Sequence, residues 1–385
     1  MTDAGLIASR RRLLLRDGLT FFVLTLTTVV LFVLTWLLFR SFTEHRAELA
    51  VRWAGRGEAA LRRGRPEEAV AALRTALVYA PDERADQMML AQALAESGHA
   101  EEAMNYFLNL WEAQPGDGVI NLQLARLARR RGTSQEAVRY YRAAIFGNWE
   151  GDGVERRREA RLELADYLID LGDLAAAQSD LLIAASNAPA NAGLELRFGD
   201  ALERAGDLED ALRYYQKAIS REPRNAVAFE KAGRLAFRMG NYAQARGWLE
   251  RALRESAGAP GTAGEADGLE PLLKRTERLL VLSPAAATSS KDRITRLLDD
   301  KAIARGRWSA CVAQLGKLNA MPVVQALNMQ WAGAAGISTR EALAADQAHE
   351  DAVMELIDQS ETMASDLCGA PSGDDALLLL LAGRR

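Results

Sequence analysis

The side chains that carry most enzyme chemistry are sparse in this sequence and far apart. Cys311 and Cys368 are its two cysteines, and His45, His99 and His349 its three histidines. A zinc ribbon, an iron–sulfur cluster or a CxxC redox site needs thiols that are closer together or more numerous. The two cysteines leave two readings open: one disulfide in an oxidising compartment, or two separate half-buried thiols. No P-loop, G-x-G-x-x-G turn, G-x-S-x-G elbow or H-E-x-x-H helix occurs. Isolated carboxylates such as Asp166 and Asp200 on a helical stretch more often face solvent than act as a general base. The expectation is therefore no catalytic residue, no cofactor and no metal. An enzyme site assembled from distant residues of the C-terminal region is the least favoured reading.

Recognition then depends on the elements that carry the side chains. The chain has 385 residues, 49% hydrophobic and 26% charged, with aromatics at 6%. Leu, Ala, Arg and Glu dominate, and such unbranched side chains lose little rotamer freedom in a helix. The composition predicts an all-α protein. With a formal charge of −4 there is no basic bias, so nucleic acid is not an expected partner.

Leu19 to Phe39 contains no charge, Gly or Pro. At about 1.5 Å per residue such a run spans roughly the 30 Å core of a bilayer. Trp36 stands near one end, where an interfacial ring belongs. Ser41-Phe42-Thr43-Glu44 does not follow the A-x-A cleavage pattern, so an uncleaved signal anchor is expected. Arg10, Arg11, Arg12 and Arg16 crowd one flank, and Arg40, Arg46 and Arg52 follow the other, diluted by Glu44 and Glu48. The positive-inside rule favours a cytoplasmic stub at 1–18 and a translocated body. The Ala-, Arg- and Leu-rich composition hints at a bacterial chain, hence an inner membrane and a periplasmic body. Thr20, Thr27 or Thr28, and Thr35 recur on one possible helix–helix face. The favoured alternative is that each hydroxyl bonds its own preceding turn.

Internal self-similarity is clear. Gly64, Gly98, Gly132, Gly172, Gly206 and Gly240 are spaced by 34, 34, 40, 34 and 34 residues. Five residues after each stands an alanine, from Ala69 to Ala245. Four further on stands Leu73, Phe107, Tyr141, Leu181, Tyr215 or Leu249. Pro81, Pro115, Pro189 and Pro223 close four of the six units. The glycine suits a sharp turn with positive φ, and the proline stops the second helix. The alanine lets two antiparallel helices approach, and the large residue is expected to fill the groove between them and the next unit. The first helices carry their own small residue: Gly57, Ala91, Ala125, Ala165, Gly199 and Gly233.

These columns resemble the tetratricopeptide repeat, a 34-residue helix–turn–helix unit. Gly206-Asp207-Leu208-Glu209-Asp210-Ala211-Leu212-Arg213-Tyr214-Tyr215-Gln216-Lys217-Ala218 lies close to its consensus. The resemblance implies a right-handed α-solenoid over residues 50–256, preceded by the transmembrane helix at 19–39. Departures are Arg56 and Ala232 in place of leucine, and Trp149 and Ala257 in place of proline. About six extra residues near Gly151 to Arg156 are expected to make a loop or an extended helix. Residues 257–268 read as a flexible linker. Within 269–368, Gly306, Cys311 and Leu315 repeat the offsets of turn glycine, alanine and large residue, so a degenerate seventh repeat or a cap is expected. Ser338-Thr339-Arg340-Glu341 reads as a capping box opening one helix to about Leu367. The tail, 369–385, is too short to span a membrane and is expected to dock on the C-terminal helices.

The resemblance also implies where partners bind. First helices of the family line a concave groove that holds peptides. Residues three and four apart share a helix face. That rule groups Leu122, Arg126 and Arg129, with Arg130 beside them. It groups Leu162, Asp166 and Ile169 with Asp170, then Leu196, Asp200 and Glu203, then Arg234 and Phe237 with Arg238. Such a groove reads basic, acidic, acidic, basic, with apolar footholds between, and would complement a protein segment of mixed charge. The expected function is a membrane-anchored scaffold that recruits or assembles partner proteins, touching the bilayer through Leu19–Phe39. A self-assembling envelope component, forming homo-oligomers, is the second reading.

Overall fold

The computed structural model describes residues 3–256, 268–286 and 289–384, with side chains described from Leu19 onward, Ala286 apart. The basic side chains of the N-terminal stub and the linker at 257–267 lie outside the described residues. The chain divides into two compact units, Met1–Tyr167 and Leu168–Arg385.

The first unit opens with α1 (Asp3–Arg62) and continues through α2 (Pro66–Tyr79), α3 (Arg84–Glu96), α4 (Ala100–Ala113), α5 (Gly118–Arg131) and α6 (Ser134–Phe146) into α7 (Gly153–Asp170). One uninterrupted helix, α1, thus contains both the apolar run and the first helix of the first repeat. The large apolar side chains of Leu19–Phe39 are exposed along it. Thr25, Thr27, Thr28 and Thr35 each donate to the carbonyl four residues back, at 2.7–2.8 Å. Their hydroxyls are thus satisfied within their own helix.

All six turn glycines have positive φ, from +67° at Gly64 to +85° at Gly98. That conformation closes each hairpin and is disfavoured for any residue with a Cβ. The large residues seat inside their own hairpins, and Tyr141 also reaches the next repeat, its ring centroid 6.3 Å from that of Tyr167. A Cβ on Gly57 would lie 2.5 Å from Leu73 Cγ, and one on Gly233 would lie 2.8 Å from Leu249 Cγ. The large residue therefore drops into the hole left by the small residue of its own hairpin. The six-residue insertion lengthens α7 to 18 residues. Just ahead of it the chain is clasped: Gly118 N donates to Asn148 O (2.8 Å) and Asn148 N to Gly116 O (2.7 Å). Trp149 packs against Gly118, where a Cβ would meet its ring at 2.3 Å.

The second unit continues with α8 (Leu174–Ser186), α9 (Ala192–Arg204), α10 (Leu208–Arg221), α11 (Ala226–Met239) and α12 (Tyr242–Ser256). Then follow α13 (Leu269–Leu282), α14 (Ser290–Leu315), α15 (Pro322–Gly333), α16 (Arg340–Ala345), α17 (Gln347–Cys368) and α18 (Gly373–Ala382). Side chains of Asp173, Asn191, Asp207 and Asn225 accept from backbone N–H groups in the first turns of α8 to α11, meeting donors that a helix start leaves unpaired.

The C-terminal expectations need correction. Gly306 lies inside unbroken α14, so no helix–turn–helix forms there. Its φ is not positive, and Trp308 and Cys311 continue one buried face of the same helix. The helix expected from Ser338 to Leu367 is two helices. Thr339, not Ser338, accepts from Ala342 N and caps α16. Asp346 then adopts an extended conformation and caps α17 through Ala348 N. Cys311 and Cys368 are bonded to each other, tying α14 to the end of α17. Leu377, Leu378 and Leu381 of α18 are buried with Tyr242, Leu279 and Leu282.

Candidate functional site

Side chains of the first helices form two sets, one in each unit. In the first unit, Arg126 of α5 grips Glu163 of α7 with both ends of its guanidinium, Nε to Oε2 at 2.9 Å and Nη2 to Oε1. Arg129 lies over the Tyr167 ring, 5.0 Å from its centroid. It also hydrogen-bonds the Tyr141 hydroxyl, which burial and then Glu163 push above its ordinary value while Arg129 pulls it back. Arg130 donates to the Ala95 carbonyl at 2.9 Å. Asp166 is half-buried. Leu122 and Leu162 are buried. They are core residues and not apolar footholds, because their position on the helix faces the stack.

In the second unit the Tyr215 hydroxyl lies 2.8 Å from Asp200 Oδ1 and 2.7 Å from Glu203 Oε2. One hydroxyl has one proton to donate, so two carboxylates share it. Burial first, then these two acids, drive the Tyr215 ionisation far upward. Lys231 Nζ stands 2.8 Å from Asp200 Oδ1, and Arg238 pairs with Glu203. Asp170 and Arg204 form a looser pair at 3.8 Å. Arg234 binds Glu230 on its own helix at 2.7 Å. Ile169 is half-buried, and Leu196 packs on the cluster of Ala192, Ala218 and Ala228. Phe237 meets Tyr242 edge-on, 5.5 Å between centroids.

The basic and acidic stretches expected along the groove are therefore not open charge. Most are cross-linked between successive first helices, whereas Arg234 is paired within its own. The rule is simple: the residue six before the turn glycine in one repeat pairs with the residue nine before it in the next. Arg126 with Glu163 and Asp200 with Lys231 both obey it. Glu163, Lys231 and the two tyrosine hydroxyls were not among the expected residues. Comparing the same offsets across adjacent repeats, in place of reading each helix face alone, finds the two charged ones. Among the described residues no group of three or more His, Cys, Asp or Glu is placed to hold a metal ion.

A stack of helical hairpins whose first helices present a polar, cross-braced face is a scaffold for protein–protein interaction, the class to which this fold and face assign the molecule. The chain belongs to the tetratricopeptide repeat family, whose profile matches residues 55–118, 122–192 and 196–260. Similar solved structures include a tetratricopeptide repeat protein of Parabacteroides merdae, 18% identical, covering 60% of this chain and 99% of that one, with a TM-score of 0.41. PilF of Pseudomonas aeruginosa is 17% identical over 56% of this chain and 95% of its own, with a TM-score of 0.41. The C-terminal part of a repeat protein of Cytophaga hutchinsonii is 14% identical over 62% and 93%, with a TM-score of 0.48. No curated protein matches the chain.

Proposed function

We propose that this chain is a single-pass protein of a bacterial inner membrane, with its repeats in the periplasm, and that it recruits partner proteins by the first-helix faces without catalysing a reaction. The cross-braced face carries the reading. Side chains held by neighbouring helices lose little freedom when a partner docks, which lowers the cost of binding. A partner segment bearing both signs of charge would exchange with the pairs of Arg126, Asp200 and Glu203 instead of meeting a uniform field. The exposed apolar run on α1 supports the anchor, and the Cys311–Cys368 bond suits an oxidising space. In the C-terminal helices, a hollow of about 280 Å³ is lined by one carboxylate, Glu355, which accepts from Gln359 at 3.0 Å. It offers no acid–base pair, which favours binding over catalysis.

Photo-crosslinking residues placed singly at Arg126, Asp200 and Arg234 are expected to trap partners in cells. The same residue on the second helices, at Arg142 or Lys217, is expected not to. Equal capture from both sets would remove the groove reading. A reporter that works only after export, fused after Arg385, tests the orientation; activity of a cytosol-only reporter there would reverse it.

A further inference from the structure

The anchor and the first repeat share one helix, and this fixes where the repeat meets the membrane. No glycine or proline interrupts α1 between Leu19 and Ala54, and the helix runs without a break to Arg62. Arg46 lies seven residues past Phe39, about 10 Å along the axis. Its side chain leans back toward the helix N-terminus, as helical side chains do. The guanidinium stands 5.8 Å from the Phe42 ring. There it donates to the carbonyls of Val78 and Tyr79, at 3.2 and 3.0 Å. Those carbonyls end α2, which returns from the Gly64 turn antiparallel to α1. The last turn of α2 is therefore pinned level with Phe42 to Arg46, and Pro81 begins the next connection at the same height.

Two large apolar side chains flank this arginine in the open: Phe42 is 61% exposed and Val78 69% exposed. An isolated exposed valine needs no explanation. Here, however, the pair stands immediately beyond an apolar run that spans the bilayer. Polar headgroups extend about 5–8 Å past the hydrocarbon on each side. We infer that the α2–α3 edge of the first repeat, through Phe42, Val78 and Pro81, rests in the lipid headgroup layer, so that the bilayer surface is a binding partner of the repeat itself. The inference rests on the membrane-anchored reading. It adds that the first repeat is seated on the lipid and does not swing on a tether.

The test uses the full chain in nanodiscs of phosphatidylcholine and phosphatidylglycerol. Single spin labels go on Leu31→Cys, Val78→Cys and Arg63→Cys, with the native disulfide left oxidised. Collision with oxygen and with a water-soluble nickel complex reports depth. The expected result is a Leu31 label in hydrocarbon and an Arg63 label in water. The Val78 label should lose nickel collisions relative to Arg63 and gain oxygen collisions. If Leu31 reads as hydrocarbon while Val78 is as open to nickel as Arg63, the seating is overturned and the anchor stands. If Leu31 itself reads as water, the anchor falls and the seating with it.

Discussion

At the scale of single residues, two buried groups link charge to stability. Tyr215 is fully buried, yet its hydroxyl reaches the first-helix face and is shared by Asp200 and Glu203. Tyr215→Phe leaves both acids their cations, Lys231 and Arg238, but removes the proton between them. Hydrogen bonds to charged groups contribute about 1.5–3 kcal/mol, so the melting temperature is expected to fall by that loss while the helical signal remains. An unchanged melt would show that the hydroxyl contributes nothing net. Glu361 is the second case. It is fully buried on α17, neither of its oxygens accepts a hydrogen bond, and Arg307 Nε is 3.5 Å from Oε2. Burial first, then Asp375, push its carboxyl from 4.5 to about 7. The folded chain thus holds a proton that the unfolded chain releases, and the stability from this group is complete below pH 4.5 and lost as pH rises through about 7. At about 1.4 kcal/mol per unit the loss is on the order of 3.5 kcal/mol. Melting temperature should fall from pH 5 to pH 8 in the natural chain and fall less in Glu361→Gln. Asp375, also raised by burial, adds a slope of the same sign. A variant as pH-dependent as the parent would remove Glu361 from the account.

At the scale of elements, what could be read in advance was what repeats. Six glycines in phase gave six turns, and the small and large columns gave the hairpins, because each depends on local sterics that a sequence displays directly. Gly199 shows how tight the fit is: a Cβ there would lie 2.4 Å from Tyr215 Cε1. Gly199→Ala is expected to cost about 1–3 kcal/mol by overpacking, whereas Gly247→Ala, with open space around it, should cost nothing or gain slightly in helix propensity. Equal effects at both positions would contradict the knob-in-hole packing. Where repetition ends, legibility ends. Gly306 matched the offset of a turn, but a single glycine inside a strong helical run costs only about 1 kcal/mol, and the buried Trp308 and Cys311 on the same helix hold α14 together. The first-helix charges read in sequence as open are paired in the fold, because pairing depends on a neighbour some thirty to forty residues away. The Cys311–Cys368 bond lay beyond spacing arguments for the same reason. It closes a separation of 57 residues, for which loop entropy gives about 4 kcal/mol. Reductant is expected to lower the melting of the C-terminal helices and leave the repeats' transition in place; no shift would mean that the bond does not restrain them.

At the scale of the whole molecule, that bond and the proposed anchor bear on the same compartment. A body exported across the membrane meets an oxidising space, where a disulfide forms and persists; a body left in the cytosol is kept reduced. Because these are the only cysteines in the chain, the thiol state of the protein in living cells reports on one pair. Cells quenched in acid and treated with a thiol-alkylating reagent under denaturing conditions are expected to yield full-length chain carrying no adduct. The same sample reduced first should carry one adduct on each of Cys311 and Cys368. The starting chain must also retain Leu19–Phe39, since removal of a signal sequence would shorten it by a readily measured mass. An unshortened, unmodified chain fits an anchored protein with its repeats outside the cytosol. Adducts without reduction would place the C-terminal body in a reducing space and reverse the orientation proposed from the flanking arginines, while a shortened chain with the disulfide intact would make the apolar run a cleaved export signal and the repeats a released scaffold. In that last case the seating of the first repeat on lipid would have no anchor to set it.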